Sequence, residues 1–192
     1  MTGYKRNNLY IRAKEIFDQD VRDVKLDIQL TQWNEVMRQS GFIHLGSGSH
    51  GSAYMWSNYQ WVFKIFRGDS AYLSFIDYIK QNQWNQNIPK IKGGVIKINS
   101  DTYLVRIEKL SPLSLGEYLE LSVDIKQMIE SVLDQLSIDE LSSSHKSAIK
   151  KFPGIYNFLQ YWYSNINYEL DIREPNIMKR GNVPVLLDPV AL

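Results

Sequence analysis

The segment that most limits what this chain can fold into is Gly46-Ser47-Gly48-Ser49-His50-Gly51, a G-x-G-x-x-G string between two β-patterned runs. In a dinucleotide-binding turn such glycines lead from a strand into a helix, whose N-terminus receives the pyrophosphate. Here Ser52-Ala53-Tyr54-Met55-Trp56 follows, which reads as another strand, so the glycines belong at the tip of a hairpin. The doubly wound nucleotide fold is thereby disfavoured. A glycine hairpin can still fold over phosphates, because glycine lets backbone N–H groups approach an anion closely. An ordinary turn is the alternative for the same six residues.

Outward from the hairpin, strands are expected near 42–46, 52–57 and 60–66, with a turn at Ser57-Asn58. Residues 8–38 read as helix in two pieces, stopped by Gly41 as a C-cap glycine. A helix is predicted from Ser70 to Trp84, capped by Asp69 or Ser70. Gly94–Ile98 and Tyr103–Glu108 read as strands joined by a turn at 99–101. Leu115–Leu136 and Ile138–Asn165 read as mostly helical, interrupted near Ser142–Ser144 and at Pro153. A last hairpin pairs Ile177–Lys179 with Val183–Leu187 through Arg180-Gly181-Asn182. Pro112 marks the boundary between a β-rich and an α-rich part. The class expected is α+β.

Composition closes off several functions. The 192 residues suit one domain or one with an appendage, and 44% hydrophobic content supports a sizeable core. Twenty-two basic against 21 acidic residues leave a net charge of +1, too little for a polyanion-coating protein, so nucleic acid is disfavoured as a partner. There is no cysteine, which removes disulfides, thiolate zinc sites and cysteine nucleophiles together. His44, His50 and His145 share no metal-ligand spacing. No stretch has the roughly 20 apolar residues of a membrane helix, and Lys5, Arg6, Arg12, Lys14 and Glu15 break up any signal-peptide core. The expectation is a soluble cytoplasmic protein with no membrane partner.

Two further strings can carry chemistry. Trp61-Val62-Phe63-Lys64-Ile65-Phe66 places a lysine inside an apolar strand, where its amine must reach a surface or an anion. An edge-strand gatekeeper is the bland alternative, with Asp69 and Asp77 as acids that could pair with it. Asp171-Ile172-Arg173-Glu174-Pro175-Asn176 is followed twelve residues later by Asp188-Pro189-Val190. Asp, Asn and Asp could set oxygen ligands around a magnesium ion, with Asp171 accepting a hydroxyl proton. A loop anchored by its own Asx side chains is the alternative. The aromatic run Phe152, Tyr156, Phe158, Leu159, Tyr161, Trp162 and Tyr163 reads as a helix in the core, with a nucleic-acid stacking platform as the alternative, and Lys146, Lys150 and Lys151 as a solvated face or partner surface.

Glycine hairpin, strand lysine, helices, Asp…Asn, hairpin and Asp occur in the order of the protein-kinase signature set. The chain resembles protein-kinase-fold proteins, most closely the early Ser/Thr protein kinases of T-seven-like phages. The likeness lies in Gly41 to Tyr54, in Asn176-Ile177-Met178, and in Val183-Pro184 leading to Asp188-Pro189-Val190. It implies a compact two-lobed kinase-like fold: a helical N-terminal extension (1–40), an N-lobe (41–111) and a reduced, truncated C-lobe (112–192).

It also implies ATP and Mg2+ as cofactors. Gly46, Ser47, Gly48, Gly51 and Ala53 would cover the nucleotide, and Lys64 would contact its phosphates. Glu108 to Leu110 would form the hinge at adenine. Asp171 would be the catalytic base, Arg173 would share the catalytic loop, and Asn176 and Asp188 would hold magnesium. The substrate would be Ser or Thr of a host transcription, RNA-processing or defence protein, or of the chain itself, within the host cytoplasm if phage-encoded. Three departures qualify this. The helix at 70–84 has no glutamate for the usual lysine partner, leaving Asp77 as a shorter substitute. Tyr168, Glu169 and Leu170 replace the usual His-Arg before the base. The sequence ends four residues after Asp188, so no activation segment is expected. A weak or inactive kinase-fold protein that inhibits a host protein by contact is therefore the alternative function.

Overall fold

The structure is a computed structural model that describes residues 30–39, 41–57, 59–98 and 100–191. The chain divides into two compact units. One runs up to Gly68 and takes in Lys92–Glu108; the other comprises Asp69–Ile91 and the chain from Lys109 on. Apart from its end, the helical stretch expected over 8–38 lies outside the described residues, as does Asn58 of the expected turn.

The first unit opens with α1 (Leu30–Gln39), ended by Gly41 at φ +85°, whose N–H bonds the carbonyl of Arg38 at 3.0 Å. That left-handed residue is the helix stop its position suggested. Five strands follow: β1 (Phe42–Ser47), β2 (Gly51–Trp56), β3 (Trp61–Arg67), β4 (Ile96–Lys97) and β5 (Thr102–Glu108). They form one antiparallel sheet in the order β1-β2-β3-β5-β4. Aromatic and β-branched residues suit the pleat and bury one another. Met37, Phe42, Tyr54, Phe63, Ile65 and Leu104 make the core, with Phe42 edge-on to Phe63 at 5.4 Å. Tyr54 also donates its hydroxyl hydrogen to Asn34 Oδ1, tying β2 to α1. The strand expected from Gly94 begins only at Ile96. Gly93 before it is at φ +76°, a kink an extended ladder does not carry.

In the second unit, α2 (Ser70–Gln81) is capped by Asp69, whose carboxylate accepts from Tyr72 N at 2.8 Å. It stops short of Trp84 because the side-chain amides of Asn82 and Gln83 fold back onto the carbonyls of Tyr78 and Ile79. Beyond β6 (Ser111–Pro112) comes α3 (Leu115–Leu133), started by a Ser114–Glu117 capping box. The stretch over 138–165 divides at the two places expected, into a 3-10 turn (Ile138–Glu140), α4 (Ser143–Lys151) and α5 (Pro153–Asn165). Ser142 is the N-cap of α4, its Oγ accepting from His145 N at 3.3 Å, so the serine-rich stretch is a helix start rather than a loose break. The aromatic run is core only in its first half: Tyr156, Phe158 and Leu159 are buried, with Phe158 meeting Phe75 and Tyr78 edge-on, each at 5.3 Å, whereas Tyr161 and Trp162 are half-buried and Tyr163 is exposed.

Short strands complete this unit. β7 (Glu169–Leu170) pairs with β10 (Val190–Ala191), and β8 (Ile177–Arg180) with β9 (Val183–Leu186) through a turn holding Gly181 at φ +59°. Pro112, expected at a boundary, lies in β6 opposite Met178, on the edge of the sheet β6-β8-β9 where a missing N–H is tolerated. The architecture is the α+β class expected. No helix among the described residues is long and apolar enough to cross a membrane.

Candidate active site

In the first unit, the glycine hairpin closes with Gly48 N donating to Gly51 O at 2.8 Å. A chain of contacts braces its mouth: His44 Nε2 to Ser47 Oγ and Ser47 Oγ to Ser52 Oγ, both 2.8 Å. The register shifts between His44 and Gly46, a bulge that lets β1 bend ahead of the turn. The three glycines differ in what they answer to. A Cβ at Gly51 would stand 2.7 Å from the Ile65 carbonyl oxygen, so β3 itself requires glycine there. A Cβ at Gly46 or Gly48 would meet nothing within 4 Å, and neither has a left-handed φ. Nothing in the described fold demands bare backbone at 46 and 48. Close approach by a molecule from outside the chain would demand it.

Ala53 faces Lys64 across the β2–β3 register, and Lys64, half-buried, faces Val105 of β5. Glu108 ends β5 opposite Trp61, and Lys109-Leu110 lead on to β6.

The second unit gathers Asp171, Arg173, Asn176 and Asp188. A 3-10 turn (Glu174–Asn176) brings Asn176 back on Asp171, and its Nδ2 donates to the Asp171 carbonyl and to Asp171 Oδ2, each at 2.8 Å. The Arg173 guanidinium stands 2.8 Å from the same Oδ2. Asp171 N donates to Pro189 O at 2.8 Å, while Leu187 N and Asp188 N reach Asn176 O at 2.8 and 3.4 Å. The Asp171–Asn176 loop and the segment around Asp188 are thus stitched into one frame, flanked by the β7–β10 pair. One carboxylate oxygen of Asp188 is shielded from solvent.

Tyr72 of α2, fully buried, belongs to the same neighbourhood. Burial pushes its phenol well above the ordinary tyrosine range, and the negative charges of Asp188 and then Asp69 push it the same way. Asp77, the expected substitute for a helix glutamate, is exposed and bonded to Lys80 Nζ at 2.8 Å. Its neighbour three residues along the helix engages it instead. Sequence reasoning missed Tyr72 and the β7–β10 brace. A tyrosine in an apolar helix pattern looks like core, and two-residue strands are too short to show a period.

Among the described residues no three His, Cys, Asp or Glu side chains cluster as a ready-made metal cage. Asn176 uses its Nδ2 on Asp171, leaving Oδ1 as an oxygen donor on the residue whose backbone carbonyl accepts from Asp188 N. That donor set fits magnesium, which takes one or two protein oxygens and completes its shell with water and substrate phosphates.

No family model and no curated protein matches the sequence. Among solved structures, the chain is similar to the Cydia pomonella granulovirus kinase PK-1, at 14% identity and a TM-score of 0.43, over 82% of this chain and 57% of that one. It is also similar to APH(2″)-IIa in its streptomycin–ATP complex, at 15% identity and a TM-score of 0.32, over 88% and 73% of the two chains. The gentamicin complex of APH(2″)-IIa gives 14%, a TM-score of 0.37, and coverage of 83% and 69%. The chain therefore spans little more than half the length of the viral kinase. What carries a functional case is the chain's own residues.

Proposed function

We propose that the protein transfers the γ-phosphoryl group of ATP to a hydroxyl in a magnesium-dependent reaction. The observation that carries this is the frame in which Asn176 holds Asp171 and is itself bonded to the Asp188 segment. Both Arg173 and Asn176 act on Asp171 Oδ2, which fixes the carboxylate and leaves Oδ1 to accept the proton of an acceptor hydroxyl. Positioning and charge stabilisation supply most of the rate in such reactions. Asn176 Oδ1 and Asp188 would hold magnesium, which when bound neutralises phosphate charge. The bare backbone at Gly46 and Gly48 suits phosphate contact, and Lys64 adds a positive charge from β3. Glu108 to Leu110 would meet adenine.

The finer assignment is a Ser/Thr protein kinase of the phage type, acting on a host protein or on itself during host takeover. A purified-protein assay of radiolabel transfer from ATP, with and without magnesium, tests the chemistry. Incorporation that needs magnesium and disappears in Asp171→Asn is expected. Incorporation unchanged in that variant would overturn the role of Asp171.

Two observations favour a contact inhibitor as the second function. The helix α2 has no glutamate, and its Asp77 is bonded to Lys80. Leu115, Leu119 and Val123, four residues apart on α3, are all more than half exposed, an apolar stripe of the kind that marks interaction surfaces. Under this alternative, complex formation with a host protein needs no ATP and survives Asp171→Asn.

A further inference from the structure

A separate hollow of about 460 Å³ lies in the second unit, where the loop after α2, the start of α5 and the turn of the β8–β9 hairpin come together. Its volume falls within the roughly 300–1,000 Å³ typical of small-molecule sites. Two asparagines fix its wall. Asn85 Nδ2 donates to Gly154 O and Asn87 Nδ2 to Pro184 O, both at 2.8 Å, while Asn85 Oδ1 accepts from Asn87 N at 2.8 Å. Gly154 is required for this closeness, since a Cβ there would lie 2.0 Å from Asn85 Oδ1.

Other lining groups are unspent. Trp84 is 66% exposed, and neither its indole N–H nor the carboxamides of Asn157 and Asn182 bond any described residue. The one charged lining residue, Lys151, is already paired with Asp124 at 2.8 Å. The site therefore offers an indole face and donor–acceptor amides without an uncompensated charge.

We infer that this hollow binds a neutral, ring-shaped polyol of monosaccharide size. Each hydroxyl of such a molecule both donates and accepts, which a carboxamide's adjacent N–H and C=O can answer together. The C–H face of the ring suits the indole. A phosphate or carboxylate ligand finds no free cation here, and a wholly apolar one would strand the amides. The site is distinct from the Asp171 frame. Asn176 and Asn182 flank opposite ends of β8, whose four residues span about 13 Å at ~3.3 Å per residue. It stands whether or not the chain transfers phosphate.

The test is amide and indole NMR of the isotopically labelled full chain, titrated separately with glucose, galactose, mannose, N-acetylglucosamine and an uncharged triglycine peptide amide. At least one sugar should give saturable shifts at the Trp84 indole and the Asn157 and Asn182 side-chain amides. Trp84→Ala and Asn182→Ala, both at exposed positions, should each weaken that affinity about tenfold while leaving the remaining spectrum in place. Absence of saturable shifts with every sugar up to tens of millimolar would overturn the inference. So would equal affinity in the parent and both variants, or shifts given by the peptide alone.

Discussion

The three hairpin glycines differ in what the fold asks of them: a Cβ would clash at Gly51 and meet nothing at Gly46 or Gly48. Gly51→Ala drives a methyl against the Ile65 carbonyl and should cost about 1–3 kcal/mol of stability, measured by urea unfolding. Gly46→Ala and Gly48→Ala meet open space, so they should leave unfolding unchanged and instead weaken Mg–ATP binding, measured by calorimetry. Equal unfolding losses at all three would show that the glycines serve the turn alone. On the proposed function Asp171→Asn removes the proton acceptor, and it should then lower transfer about 10²–10⁴-fold with nucleotide affinity retained. Lys64→Ala and Asp188→Ala should weaken the affinity itself, because the proposed function gives those charges to phosphates or their metal. Nucleotide titrations across the three variants separate these roles. Lys64, Asp171, Asn176 and Asp188 could be picked from the sequence because charged and amide residues stood in patterned, apolar or turn-rich surroundings. Tyr72 could not, since its difference from ordinary core lies in the approach of Asp188, a residue more than a hundred positions away.

At the scale of elements, α3 is tied to β8 by one ion pair. Lys179 Nζ lies 2.6 Å from Glu117 Oε1, and this bond, with those from Ser114, holds the Glu117 carboxyl down from 4.5 to about 2. A carboxyl that is more acidic folded than unfolded stabilises the fold fully above pH 4.5, and that contribution is lost as pH falls from 4.5 through about 2. Melting followed across this acid range should therefore fall less steeply in Glu117→Gln than in the parent; identical acid limbs would show the pair to be idle. Ser142→Ala should cost about 1 kcal/mol, as the loss of a helix N-cap, checked by urea unfolding. The long strands were legible because aromatic and β-branched residues cluster between turn signals. The divisions at Ser142 and Pro153 were legible too, from a serine cluster and a proline, but the end of α2 was not, because it rests on side-chain bonds from Asn82 and Gln83. β6, β7 and β10 are two residues each, and only pairing with distant strands makes them strands.

At the scale of the molecule, the first unit carries the glycine hairpin and Lys64, and the second carries the Asp171–Asn176–Asp188 frame. The proposed function assigns both to one nucleotide, so ligand binding should stabilise the native chain as a whole. A ligand that binds only the folded state adds about 2.7 kcal/mol at a hundredfold excess over its dissociation constant, enough to move a melting temperature by several degrees. The most direct measurement is the thermal melt of the full chain with ATP, with magnesium, with both and with neither. The account predicts a clear rise with both together, a smaller one with ATP alone, and its loss in Asp188→Ala. An unchanged melting temperature at saturating Mg–ATP would contradict it.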